Sequence, residues 1–143
     1  MTNIQIHDCS AFSNAECKEL FQQIRDELIS YNNSIIAGLS KSSVLLSLTD
    51  KEDIVGGLFG KISWDWLHIE LLWIEESYRN SDYGTQLILK AEAIAQKADC
   101  IGVHLESSTF QAPGFYKKLG YSIFAELENK PRKQTQIFFK KEF

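Results

Sequence analysis

The sequence predicts an α+β fold in which one mixed sheet is covered by helices on its faces. Two observations lead to this prediction. Three apolar segments between residues 44 and 74 are separated only by tight turns, which is typical of an antiparallel meander. The next segment has the apolar spacing of a helix and leads into another apolar run, which predicts a right-handed crossover between two parallel strands. With 143 residues, the chain 1–143 is expected to form a single domain.

The first third of the chain is predicted to contain a strand and a helix. Ile4 and Ile6 alternate with polar neighbours, which predicts a short strand. Ser13 is followed three residues later by Glu16, a capping box that marks the start of a helix. Residues 35–43 fit either a second short helix or a loop.

The rest of the chain divides into strands and helices at its turn signals. Three glycines in the second segment of the meander predict a bulge or a close approach of two backbones. A final glycine is expected to end the last helix. The predicted strands are Val44–Asp50, Ile54–Trp64, Trp66–Ile74, Cys100–Ser107, Tyr121–Leu127 and Thr135–Phe143, and the predicted helices are Tyr83–Ala98 and Thr109–Gly120.

Composition argues against several kinds of partner. A formal net charge of −4 gives no reason to expect nucleic acid, and no apolar run approaches the roughly 20 residues of a membrane span. The three cysteines are widely spaced and odd in number, which indicates reduced thiols. No leader pattern opens the sequence, so the cytoplasm is the expected compartment. The histidines fit no metal-binding spacing, so no metal is expected.

The loop "RNSDYGT", from Arg79 to Thr85, is the first candidate site. It joins a predicted strand to a predicted helix, where backbone N–H groups lack partners and the helix dipole is positive. A phosphate fits there, and Arg79 can add a forked guanidinium contact. Gly84 adopts positive φ freely, and Asn80 and Asp82 tolerate it best among the other residues. The alternative is an ordinary turn with a surface arginine.

A second motif completes a resemblance to the GCN5-related N-acetyltransferase (GNAT) family. Arg79 and Gly84 match the first and last positions of that family's phosphate loop, Gln/Arg-x-x-Gly-x-Gly/Ala, while Asp82 replaces its middle glycine. The later segment is similar to the family signature Ala-x-x-Leu-Tyr-x-x-Leu-Gly-Phe/Tyr, which is matched at Ala112, Tyr116, Leu119, Gly120 and Tyr121, with Phe115 in place of leucine.

The resemblance implies a three-layer α/β/α sandwich with a mostly antiparallel sheet, splayed between the fourth and fifth predicted strands. It also implies that acetyl-CoA is the cosubstrate. The pantetheine arm would pair with the backbone of Leu72, Trp73 and Ile74, and Thr109 stands where the family often places an asparagine that touches the cofactor. The pyrophosphate would lie on the loop, whose residues are Arg79, Asn80, Ser81, Asp82, Tyr83, Gly84 and Thr85.

Acetyl transfer to an amine needs a base and an acid, because an alkylamine is protonated at neutral pH and the thiolate must leave as a thiol. Tyr116 matches the family's tyrosine acid. Glu70 is the first candidate for the base, followed by His68 two residues away and by Glu106 on the neighbouring strand. The alternative for Glu70 is a pair with a lysine or a solvent-facing position.

The sequence therefore predicts an N-acetyltransferase that moves an acetyl group from acetyl-CoA directly to a primary amine. The acceptor, a small molecule or a protein, cannot be read from the residues. Homodimers are common in the family, and nothing in the sequence decides between a monomer and a dimer. Because Asp82 brings a negative charge to the phosphate loop, a module that binds acyl-CoA without catalysis is the alternative.

Overall fold

The computed structural model describes residues 4–11, 13–36 and 41–143, which fall into two compact units, one ending at residue 39 and one beginning at residue 40. The first unit contains helix α1 (Asn14–Ile35). Its capping box is confirmed: the Ser13 hydroxyl accepts from the backbone N–H of Glu16, and the Glu16 carboxylate accepts from that of Ser13.

The predicted N-terminal strand is wrong, since residues 4–9 form no strand. Two alternating apolar residues, Ile4 and Ile6, are too short a run to secure a strand without a long pairing partner. Of the ambiguous residues 35–43, position 35 ends α1 and positions 41–43 begin the first strand of the sheet, whereas 37–40 lie outside the described residues.

The second unit is built on a sheet of six strands in the order β1-β2-β3-β4-β6-β5. Only the β3–β4 pair is parallel, so the expected mixed and mostly antiparallel sheet is confirmed. The strands are β1 (Lys41–Asp50), β2 (Asp53–Ser63), β3 (Trp66–Ile74), β4 (Gly102–Ser108), β5 (Ser122–Glu128) and β6 (Thr135–Glu142); the helices are α2 (Tyr83–Lys97) and α3 (Pro113–Lys118), with a 3-10 turn at Glu76–Tyr78.

Helix α2 packs on one face of this sheet. The apolar spacing of its sequence places Leu87, Ile88, Ala91 and Ala95 inside the core, as expected from a stripe that recurs every three or four residues. The strands contribute the other part of the same core, including Leu67, Leu105 and Phe139. Among the described residues, no helix is both long enough and apolar enough to cross a membrane.

The sheet opens between β3 and β4. These strands are paired only from Trp66 to Ile69 on β3 and from Gly102 to Leu105 on β4, and they diverge beyond this point. The predicted splay is therefore confirmed, between the third and fourth observed strands because the predicted N-terminal strand is not formed.

A bulge lies at the start of the opening. Residue Gly60 of β2 pairs with Ile69, whereas Phe59 pairs with Leu71, so Glu70 has no partner across the β2–β3 ladder. A side chain at Gly60 would bring its Cβ within 2.7 Å of the His68 carbonyl oxygen, so glycine is required by close backbone approach. Bulges change the direction of side chains, and this one lies at Glu70, where the opening between β3 and β4 begins.

Candidate active site

A cavity of about 860 Å³ occupies the opening between β3 and β4. It falls within the size range of small-molecule and cofactor sites. Its walls come from the diverging ends of the two strands, the loop before α2, the first turn of α2, and α3. The predicted site residues that line it are Glu70, Leu72, Trp73, Ile74, Arg79, Asn80, Asp82, Tyr83, Gly84, Thr85 and Tyr116.

The loop before α2 turns through two residues in the left-handed conformation. Asn80 has φ 62° and Asp82 has φ 61°, so positive φ falls on the two tolerant non-glycine residues. Gly84 instead lies in the first turn of α2 and is not among the residues with positive φ. Glycine is favoured there on steric grounds, because a Cβ would make a tight contact, 3.3 Å from Cζ of Phe115.

Asp82 is the N-cap residue of α2, yet its side chain makes no capping hydrogen bond. Its carbonyl oxygen accepts the N–H of Gln86 at 3.0 Å, and the residue is exposed. An N-cap carboxylate ordinarily accepts an N–H from the first turn and so occupies the place of an anion. Here the Asp82 side chain does not cap the first turn, and Tyr83, Gly84 and Thr85 of that turn line the cavity, an arrangement that suits an anion.

Arg79 ties the loop to the end of β3. Its Nε donates to the carbonyl oxygen of Ile74 at 2.9 Å, and its side chain lines the cavity. The terminal guanidinium nitrogens carry further N–H donors with the fork geometry that suits phosphate oxygens. The contact therefore links the loop before α2 to the end of β3.

Tyr116 stands on α3 and reaches the cavity wall. Its ring packs between those of Phe115 and Phe139, with centroids 5.1 Å and 5.5 Å away. Burial raises the pKa of the Tyr116 phenol, so its hydroxyl keeps its proton throughout the neutral range. The helix is shorter than the predicted Thr109–Gly120, since it runs from Pro113 to Lys118, but Gly120 follows its C-cap residue with φ 89°, as predicted for a C′ glycine.

A polar cluster lies where β3 and β4 begin to diverge. The Glu70 carboxylate pairs with the Lys61 ammonium at 2.9 Å, which is the alternative that the sequence left open. His68 Nε2 lies 2.7 Å from Oε2 of Glu106, and His68 Nδ1 lies 4.0 Å from Oε1 of Glu70. The ring of His68 stacks on that of His104 with a centroid distance of 4.4 Å.

The family model described as Acetyltransferase (GNAT) family matches residues 5–121. The chain belongs to this family of acetyltransferases. It is 39% identical over 94 residues to the blasticidin-S acetyltransferase of Streptomyces morookaense, a match that covers 65% of the chain and 69% of that relative.

Solved structures agree with this membership. The crystal structure of an acetyltransferase from Bacillus cereus ATCC 14579 matches with a TM-score of 0.86 and 34% identity over 98% of each chain. A protein assigned as a streptothricin acetyltransferase from Bacillus anthracis str. Ames, crystallised in complex with acetyl coenzyme A, has the same fold, with a TM-score of 0.65 and 23% identity over 71% of this chain and 62% of that chain.

Three predicted site residues of this acetyltransferase lie outside the cavity lining: His68, Ser81 and Thr109. The Thr109 hydroxyl donates to the Gln134 side chain at 2.6 Å and accepts the N–H of Thr135 at 3.2 Å, so it holds the loop before β6. His68 stands behind Glu106, one contact away from the cavity.

The sequence predicts Glu106 only as the third candidate for the base and indicates no role for Lys61 or His104. A signal was present in the acetyltransferase sequence, because "HIE" at 68–70 and "HLE" at 104–106 repeat the same spacing on two strands predicted to be parallel neighbours. Parallel pairing in register places His68 beside His104, and the next same-face positions are the two glutamates.

Proposed function

We propose that the chain transfers an acetyl group from acetyl-CoA directly to a primary amine. The observation that carries the proposal is the cavity itself, which runs from the start of α2, where backbone N–H groups are free to meet phosphate, past the unpaired edge of β3 to the Tyr116 hydroxyl. The cavity wall thus offers a helix N-terminus that suits an anion, an unpaired strand edge and a proton donor.

Acetyl-CoA fits the chemistry of these walls. The pyrophosphate belongs on the first turn of α2 and on Arg79, and the pantetheine amides belong on the backbone of Leu72, Trp73 and Ile74, which β4 leaves unpaired. An extended chain that adds to a sheet edge gains backbone hydrogen bonds in this way. The Bacillus anthracis neighbour, which holds acetyl coenzyme A in the same fold, supports this choice of cosubstrate.

The proposed reaction needs no covalent enzyme intermediate. A neutral amine attacks the thioester carbonyl carbon, the C–S bond breaks, and the Tyr116 hydroxyl gives its proton to the departing thiolate. The candidates for the base that removes the amine proton are Glu70, His68 and Glu106. Raised pKa at Tyr116 agrees with the acid role, because the donor must be protonated when the thiolate forms.

The acceptor that we propose is a small cationic amine of the antibiotic class. The support is the 39% identity to an acetyltransferase of blasticidin S, together with the carboxylates of Glu70 and Glu106 in the cavity wall.

The compartment that we propose is the cytoplasm. The three cysteines are odd in number and widely spaced, which indicates reduced thiols, and thiols stay reduced in the cytoplasm.

The test has two parts. Calorimetric titration with acetyl-CoA measures binding, and a thiol-reactive dye then follows CoA release in the presence of blasticidin S, a polyamine or an aminoglycoside. We expect saturable binding and release that depends on the amine. Binding without release would show an acyl-CoA-binding module, and a flat titration of folded protein at millimolar ligand would refute the proposal.

A further inference from the structure

The two glutamates of the polar cluster differ in their hydrogen bonds. Both oxygens of Glu70 lie close to the Lys61 ammonium, Oε1 at 2.9 Å and Oε2 at 3.3 Å. Glu106 is bound by one oxygen alone, since His68 Nε2 meets Oε2 at 2.7 Å and no hydrogen bond from the described residues reaches Oε1. Both carboxylates line the cavity.

The two carboxylates therefore differ in what they can bind: Glu70 is already paired with a lysine, whereas Glu106 keeps one oxygen for a substrate. The Lys61 ammonium contacts both oxygens of Glu70 and therefore competes with an acceptor ammonium for this carboxylate. In Glu106 the bond from His68 fixes the carboxylate orientation and leaves Oε1 for a ligand. Because a carboxylate only accepts hydrogen bonds, His68 carries its proton on Nε2.

His104 fixes the plane of the His68 ring. The two rings are stacked within 4° of parallel, at the positions that pair in register across β3 and β4. Burial and the neighbouring His68 lower the pKa of His104, although Glu106 acts in the opposite direction. His104 is therefore neutral at physiological pH, and a neutral ring can stack on His68 without repelling charge.

We propose that Glu106 is the base of the acetyl transfer and that His68 is the residue that positions it; this inference rests on the proposed function. The Oε1 atom of Glu106 takes a proton from the acceptor ammonium, leaving a neutral amine whose lone pair attacks the thioester. The carboxyl group then gives that proton to solvent, and the second proton, which the nitrogen loses as the amide forms, restores the Tyr116 hydroxyl after it has protonated the departing thiolate. Glu70, paired with Lys61, shapes the mouth of the acceptor side.

The same group of residues has donor atoms within 4.8 Å of one another, at His68, His104 and Glu106, so a metal ion is a competing occupant. An imidazole binds a metal along its nitrogen lone pair, in the plane of the ring. Two parallel stacked rings cannot both direct a nitrogen at one ion unless one of them turns. The observed geometry therefore favours the hydrogen-bonded arrangement, in which His68 is already committed to Glu106.

The test compares Glu106→Gln with Glu70→Gln and with Glu126→Gln, an exposed control on β5. Acetyl-CoA and the amine that the wild type turns over fastest are the substrates. We expect Glu106→Gln to lower kcat about 100-fold at pH 7 with unchanged acetyl-CoA affinity. Glu70→Gln should act mainly on the KM of the amine, and Glu126→Gln should leave both constants unchanged.

The pH dependence separates a base from a structural support. The loss in Glu106→Gln should shrink as pH rises towards the pKa of the amine, about 10.4 for an alkylamine, because the substrate then loses its proton without help. A loss that is equal at every pH would overturn the assignment. The charged or titratable groups around Glu106 are His68 and Glu70 on β3, Lys61 on β2, His104 on β4 and Lys140 on β6, and all are kept in this variant.

His68 is tested by two variants. His68→Leu removes the donor to Glu106 and should lower kcat about 10-fold, whereas His68→Gln offers an amide N–H in its place and should restore most of the rate. Equal loss in both would show that the imidazole itself moves the proton and would overturn its positioning role. Inhibition by a chelator, reversed by zinc, would assign the cluster to a metal instead. If the wild type releases no CoA with any amine, the proposed function is refuted. If the wild type is active and Glu106→Gln is equally active, the assignment of Glu106 as the base is refuted while the proposed function stands.

Discussion

Gly84 and Phe115 bring the two sequence motifs together. The Cα of Gly84, in the first turn of α2, faces the Phe115 ring on α3 so closely that a Cβ would lie 3.3 Å from Cζ and 3.6 Å from Cε2. Gly84 and Phe115 are 31 positions apart in the sequence, yet the loop before α2 and the tyrosine signature form adjoining walls of one cavity. A side chain at position 84 would therefore crowd the Phe115 ring.

The substitution Gly84→Val is expected to abolish measurable binding of acetyl-CoA. The branched side chain would push the Phe115 ring and the first turn of α2 apart, and this would displace the N–H groups of that turn from the proposed pyrophosphate position. Calorimetric titration measures the effect. Gly114→Ala is the matched control, since a Cβ there meets nothing within 4 Å. Equal affinity in the wild type and Gly84→Val would remove the loop from the site.

Asp82→Asn is expected to strengthen acetyl-CoA binding by a few fold at low ionic strength. Asparagine keeps the left-handed conformation that the turn requires at φ 61°, while the carboxylate charge beside the proposed pyrophosphate is removed. Because salt screens an exposed charge, the gain should decrease at high ionic strength. Dissociation constants measured at two salt concentrations check this. A gain that does not depend on salt would mean that charge repulsion is not its cause.

Tyr116→Phe is expected to lower kcat at least 10-fold and to change the acetyl-CoA dissociation constant less than twofold. Phenylalanine keeps the ring contacts with Phe115 and Phe139, so only the proton donor is lost. Burial raises the pKa of Tyr116, so wild-type kcat should show no loss from this group below about pH 10. Steady-state kinetics and titration together provide the measurement. Parallel losses in turnover and affinity would contradict an acid role.

The sequence predicts most of the second unit because its periodicities change sharply at turn residues. Trp66–Ile74 matches β3 at both ends, and the capping box locates the start of α1. The short alternation at Ile4 and Ile6 led to the wrong prediction of an N-terminal strand, since a local pattern does not show whether a partner strand is present. The sequence pattern also could not predict which lysine pairs with Glu70. Lys61 reaches it across the β2–β3 ladder, where a bulge determines which side chains meet.

Helix α2 carries a polar residue on its buried face, which apolar spacing does not predict. Glu92 is only 6% exposed, and its carboxylate accepts the Tyr121 hydroxyl at 2.9 Å and the Lys141 ammonium at 3.0 Å. Removing one partner of such a pair leaves the other charge in a poorly solvated place. This group joins α2 to β6 and to the residue before β5.

Lys141→Met should therefore lower the free energy of unfolding by roughly 2–4 kcal/mol, less than a fully buried pair would give because the lysine side chain keeps 26% exposure. Adding Glu92→Leu to Lys141→Met should recover most of that loss, since no unpaired charge is then left inside. Urea unfolding of the wild type, both single variants and the double variant forms a complete cycle. If the two single losses simply add in the double variant, Glu92 and Lys141 are not coupled, and the pair does not hold α2 to the end of β6.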